Sequence, residues 1–291
     1  MAASGIGSRR TCEEWIKQGL VKVNGVVVTE LGTRVDPAND KVTFRSKIIR
    51  PPLRNYYIAV NKPAGVVCTL SDSHAARIIT DLVDIQGKPM LRPVGRLDAE
   101  TEGLIFLSDD GGFINRLTHP RYHIPKTYKA RVRGHISATG LQALRDGVML
   151  ADGMTAPARQ VILRNTSRET GDDAFSDVSL TIAEGRNRQV RRMFATIGHN
   201  VIHLERSQIG PIRLTGIPIG AWRHLTQHEI AMLTETKPES ENTTEKKESW
   251  PTEQQHLTPA RARSQSNLPR TRRPGPPRTS SNSRKRGSTT G

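Results

Sequence analysis

VSLTIAEGRNRQVRRMFATIG, residues 178–198, changes its apolar period in the middle. Val178, Leu180 and Ile182 alternate with Ser179 and Thr181, as a strand with one buried face requires. From Val190 the apolar residues recur at Phe194 and Ile197, the spacing of one helical face, and Gly198 supplies the stop. A strand that runs into a helix through a cluster of arginines sets the expected class, α+β. Tyr57 to Val60, Leu104 to Leu107 and Tyr128 to Val132 are further strand-like runs, several of them alternating. Leu141 and Leu144 behind Ser137 mark another helix, and Thr226-Gln227-His228-Glu229 has the form of a capping box. Together these predict a domain on a mixed, largely antiparallel sheet over residues 56–234.

Upstream the chain reads differently. Ser8 is placed to cap a short helix whose apolar stripe is Cys12, Trp15 and Ile16, with Arg9, Arg10 and Lys17 off that stripe and Gly19 ending it. Val21 and Val23 then lead into Asn24-Gly25, a strong two-residue hairpin signal, followed by Val26 to Val28. A module this small, residues 1–46, buries little apolar surface, so presenting Arg and Lys to phosphates is its expected use; a solvated helix face is the alternative. From Arg45 to Asn55, with Pro51-Pro52 inside, the chain reads as a linker, and residues 47–55 are assigned to it. Beyond residue 235 apolar residues nearly vanish, and no acidic residue follows Glu253. Residues 235–291 are therefore expected to be a disordered basic tail, serving either as an RNA-binding arm or as a solubilising extension.

The whole chain carries 44 Lys+Arg against 28 Asp+Glu, a formal charge of +16, which favours a polyanionic partner. No apolar run is long enough to span a bilayer, and no basic-then-apolar signal opens the sequence, so a cytoplasmic protein is expected. Cys12 and Cys68 offer no disulfide framework and no companions at metal-ligand spacing, so both read as inert core thiols and no metal is expected.

Three clusters could carry chemistry. Gly95 to Gly103 sets Asp98, Glu100 and Glu102 beside Arg96, just before a strand; it reads as a nucleophile kept ionised by an arginine or as a surface turn with an ion pair. Glu184 to Phe194 places Arg186, Arg188, Arg191 and Arg192 at a helix start, suited to a phosphate or a carboxylate, or simply a solvated basic face. Lys126-Thr127-Tyr128 heads a strand with an aromatic that packs in a core or stacks on a base lifted out of its helix.

Taken together these stretches resemble the ribosomal RNA pseudouridine synthases of the bacterial RsuA/RluB type. Gly95-Arg96-Leu97-Asp98 with Thr101 and Gly103-Leu104 is similar to the family's catalytic signature. Asn61 to Val66, Lys126-Thr127-Tyr128, Glu184 to Arg192 and Arg206 to Gly210 follow in the family's order, from about residue 3 to residue 232. The first segment, with Gly7 to Arg10 and Val23-Asn24-Gly25, resembles the αL domain shared with a small-subunit ribosomal protein, shortened at its start. The resemblance implies that Asp98 attacks the sugar or the base ring of a target uridine without a cofactor, that Tyr128 packs on the flipped uracil, and that Arg191 pairs with Asp98, with Arg188 the runner-up. It leaves Arg96, Arg186, Arg188, Arg192, Lys126, Arg9, Arg10 and Lys17 to touch RNA. The implied partner is ribosomal RNA or an assembly intermediate. Large-subunit RNA is preferred because some relatives acting there also carry a basic extension, and a monomer is expected. Two rivals stand beside this reading: a non-catalytic RNA-binding or ribosome-assembly factor, for which Asp98 is dispensable, and a carboxylate glycosidase, disfavoured by an aromatic content of only 4%.

Overall fold

The computed structural model describes residues 1–50, 52, 54–70, 77–86 and 90–235. The basic tail expected from residue 235 lies, from 236 onward, outside the described residues.

In the N-terminal module Ser8 accepts the Thr11 amide and starts α1 (Arg9–Lys17), and Gly19, with φ of 69°, turns the chain out of it. Next come β1 (Val21–Val23) and β2 (Val26–Val27), joined by Asn24 and Gly25, both at positive φ as a primed hairpin turn demands. β3 (Val42–Phe44) pairs with β1 on its other side and with β4 (Lys47–Ile48). Trp15 of α1 stacks on Phe44 with ring centroids 4.4 Å apart, which fixes the helix to the sheet. The linker expected from Arg45 thus begins later. Arg45 and Ser46 themselves adopt positive φ and close a hairpin that carries no glycine or asparagine signal.

The larger domain follows with β5 (Tyr57–Lys62), β6 (Arg92–Val94), β7 (Glu102–Ser108), α2 (Gly111–Thr118), β8 (Lys126–Arg133) and α3 (Ala138–Asp146). It continues with β9 (Met149–Leu150), β10 (Gly153–Met154), β11 (Gln160–Thr166), β12 (Phe175–Ile182) and α4 (Gln189–Thr196). β13 (Val201–Ile209), β14 (Ile212–Arg213), β15 (Trp222–His224) and α5 (Gln227–Thr234) complete it. The central path runs β11-β12-β8-β13-β7-β5-β15, with β14 on β13 and β6 on β7. Among the described residues its pairings are antiparallel except β13 with β7.

Alternation along β5 and β7 divides the core. Ile58, Val60, Ile105 and Leu107 join Leu144 of α3 and Met193 and Phe194 of α4 on one face. Ala59, Leu104 and Phe106 join Phe113 of α2 and Leu233 of α5 on the other. Phe106 and Phe194 are fully buried, and truncation of either to Ala is expected to cost about 3–5 kcal/mol. The caps read from sequence are in place: Ser137 accepts the Gly140 amide, and Thr226 and Glu229 form a reciprocal box.

Candidate active site

Asp98 sits in the loop between β6 and β7, and the neighbouring chain holds that loop at several points. Its own carbonyl accepts the Thr101 amide at 3.0 Å, and the next carbonyl, of Ala99, accepts the Gly65 amide at 2.8 Å. Lys62, at the end of β5 and completely buried, donates its Nζ to the carbonyls of Pro63, Val66 and Ala99 at 2.9, 2.8 and 3.1 Å. Burial pushes the Lys62 ammonium below its ordinary range, while Glu102 and Asp98 pull it back up. The Leu97 amide points at the Cys68 sulfur at 3.5 Å, and burial pushes that thiol up, in keeping with an inert core cysteine. Gly103, three residues before Phe106, is required by contact. Its φ is 104°, and a Cβ there would lie 2.4 Å from the Arg206 carbonyl oxygen.

The opposite wall comes from the strand-to-helix junction. Arg188, the residue that caps α4, has φ of 46°, a conformation non-glycine residues enter at a cost of order 1 kcal/mol. Gln189 braces the turn by accepting the Arg186 amide and donating to Glu184. Arg188 directs Nη1 to within 3.9 Å of Asp98 Oδ2 and Nη2 to 3.3 Å from Glu100 Oε2. Arg191 turns elsewhere, donating to the Val201 carbonyl at 3.3 Å and lying 3.8 Å from Glu100 Oε2. Arg188 rather than Arg191 therefore reaches Asp98, because Arg188 stands ahead of the helix while Arg191 is fixed on its first turn.

Asp98, Tyr128, Arg188 and Arg191 line one cavity of about 70 Å³, closed by Leu97, Val190 and Leu204. The Asp98 side chain is 28% exposed, so the carboxylate is shaded but reachable. Tyr128, on β8, is buried, with 9% of its surface exposed. An acidic side chain, a flat ring and a guanidinium around a small opening can receive one face of a planar base and attack beside it. A much larger groove, about 1020 Å³, passes Arg9 and Arg10 but holds no such set.

Two arginines expected to touch RNA are occupied by protein. Arg186 donates to the carbonyls of Gly153 and Met154 and to Glu184. Arg192 forms a two-pronged pair with Asp152 at 2.8 and 3.1 Å, which holds the Asp152 carboxyl below the usual range. Arg192 clamps the β9–β10 hairpin region to α4 and Arg186 clamps it to the turn before that helix, so their guanidinium groups are engaged by protein. Arg9, Arg10, Lys17 and Arg96 are exposed, and Lys126 is half-buried with Nζ on the Ile124 carbonyl at 2.9 Å. Sequence reasoning missed Lys62 as a support. Its signal was a charged residue closing an otherwise apolar strand.

The pattern for RNA pseudouridylate synthases matches residues 56–196, and that for the S4 domain matches residues 1–42. The ribosomal large subunit pseudouridine synthase B of Bacillus subtilis is 42% identical over 234 residues, covering 80% of this chain and 93% of that protein. The protein of that name from Pseudomonas aeruginosa is 38% identical over 81% of this chain and 60% of its own length. A crystal structure of a pseudouridylate synthase superposes with a TM-score of 0.54 at 32% identity, covering 78% of this chain and 94% of that one. With its acid, aromatic and arginine set on a matching fold, the chain belongs to the RNA pseudouridylate synthase family and carries an S4 domain at its N-terminus.

Proposed function

We propose that the protein converts a specific uridine of ribosomal RNA, in the large subunit, to pseudouridine, with Asp98 as the nucleophile. The observation that carries this reading is the single cavity lined by Asp98, Tyr128 and Arg188, in a chain whose relatives bear that large-subunit name. The target nucleotide leaves its helix at a cost of a few kcal/mol, offset by stacking on Tyr128 and by phosphate contacts. Asp98 attacks the sugar or the base ring, the bond from ring nitrogen to ribose breaks, and the uracil turns within the cavity. A bond from ring carbon to ribose then forms, the bond made by Asp98 breaks and returns its carboxylate, the ring carbon's proton leaves, and the ring nitrogen freed from ribose gains one. Atoms balance without a cofactor. Arg188 holds Asp98 aimed, and Arg191 steadies the same loop through Glu100.

The proposed organisation is an RNA-binding module over residues 1–46, extended by its last hairpin to Ile48, a connection to residue 55, a catalytic domain over 56–234 and a basic tail. Arg9, Arg10, Lys17 and Arg96 supply phosphate contacts, and the enzyme works as a cytoplasmic monomer on ribosomal RNA or an assembly intermediate. No helix among the described residues is long and apolar enough to cross a membrane.

The test is to map pseudouridines across ribosomal RNA, by carbodiimide labelling and primer extension, in cells with the native gene, a deletion or Asp98→Asn. Loss of one large-subunit site in both altered strains is expected. Persistence of every pseudouridine in both would overturn the reading.

A further inference from the structure

We propose that the cavity adjoining the Asp98 site is an anion site that takes a phosphate group on Lys126, Arg206 and Arg96, and that in the RNA complex this group is a backbone linkage beside the target uridine. The second half rests on the pseudouridine synthase reading; the first does not.

This cavity, about 180 Å³, shares Arg96, Tyr128 and Arg186 with the Asp98 site but does not include Asp98. Its cations outnumber what the protein neutralises. Arg206, on β13, is only 3% exposed; its Nε donates to the Leu104 carbonyl at 2.8 Å, and its Nη2 is buried without a hydrogen-bond partner among the described residues. Lys126 lies in the same lining, and burial together with Arg206 pushes its ammonium down to about 8. Arg96, exposed at the entrance, makes no hydrogen bond or ion pair among the described residues.

The carboxylate in the lining, Glu184, is already engaged: Oε1 by the Ala156 amide and Gln189, Oε2 by Arg186. Buried positive charge with an unanswered N–H is costly, and the group that offsets it is an oxyanion with several acceptors. A phosphate meets that demand. A neutral base does not, and the planar ring already has its place between Tyr128 and Asp98.

The test compares the full-length protein with Lys126→Gln and Lys126→Met, two neutral replacements. Both are expected to fold, since each removes a buried charge from beside Arg206. Thermal melting is followed in sodium phosphate against sodium chloride at matched ionic strength, and binding of a large-subunit ribosomal RNA transcript is titrated against salt. The wild type should melt higher in phosphate by clearly more than either variant, whose rise is only the general salting-out effect of phosphate. Both variants should bind the transcript about tenfold more weakly, with the salt slope reduced by about one charge. No phosphate effect on the wild type, or an equal effect on the variants, would overturn the anion site. A phosphate effect clearly smaller in the variants with unchanged transcript binding would overturn the RNA linkage and leave free phosphate as the occupant. Failure of the function reading shows separately, as a wild type that forms no pseudouridine.

Discussion

Around Asp98 the backbone is held by buried hydrogen bonds and one completely buried ammonium, whereas residues 184–192 are held largely by guanidinium–carboxylate pairs that water reaches. Lys62 has no exposure, while Asp152 and Arg192 keep 49% and 31% of their side-chain surface. Salt screens exposed pairs and barely touches buried ones, and exposed pairs contribute little each. The two walls of one cavity thus answer to different conditions. Asp98 sits on the wall held by buried bonds; Arg186 and Arg192 sit on the wall whose ion pairs salt weakens.

The strongest way to break this contrast is Lys62→Met. The substitution removes the ammonium from three carbonyls at a completely buried position, and should cost about 3 kcal/mol or more in chemical denaturation, with activity lost alongside. An unchanged denaturation midpoint would show that Gly65 and Cys68 hold the loop without it. A smaller effect is expected from Asp152→Asn, which frees Arg192 from its two-pronged pair. At low salt kcat/KM should fall about threefold, and near 1 M salt the variant should match the wild type, where screening has already weakened the pair. A deficit that persists at high salt would make the hairpin contact a packing contact.

The smallest effect is one of pH. Hydrogen bonding to Arg192 holds the Asp152 carboxyl below its unfolded value, so its contribution stands at neutral pH and fades as pH falls through the folded value. Melting temperatures of wild type and Asp152→Asn should therefore converge in acid below the ordinary carboxylate range. The deficit of Lys62→Met should persist there, because Lys62 only gains protonation as pH falls. Convergence of both variants on the wild type would erase the distinction between the walls.

Much of this was legible in the residues. β8 and β12 announced themselves by alternation, α3 and α5 by the caps at Ser137 and Thr226, and the first hairpin by Asn24-Gly25. The pairing of Asp98 was not. Helical spacing treats Arg188, Arg191 and Arg192 as neighbours on one surface, but Arg188 leaves the helix in a left-handed conformation, and a single φ sends it to Asp98 while Arg192 goes to Asp152. Spacing cannot report a dihedral. Nor could it show β4, whose turn uses Arg45 and Ser46 with no glycine or asparagine, or the emptied ion balance around Arg206, which exists only once β7, β8 and β13 lie side by side.

The parallel pairing of Gly103 with Arg206 sets an order of events during synthesis. Leu104 and Arg206 are bonded across a sequence separation of 102 residues, so the β7 edge that backs the Asp98 loop stays open until β13 has left the ribosome. Contacts this distant close late, and the segments before them wait with apolar edges exposed. The S4 module, whose contacts are local, can fold first. The growing chain would therefore be able to grip RNA well before it can act on it.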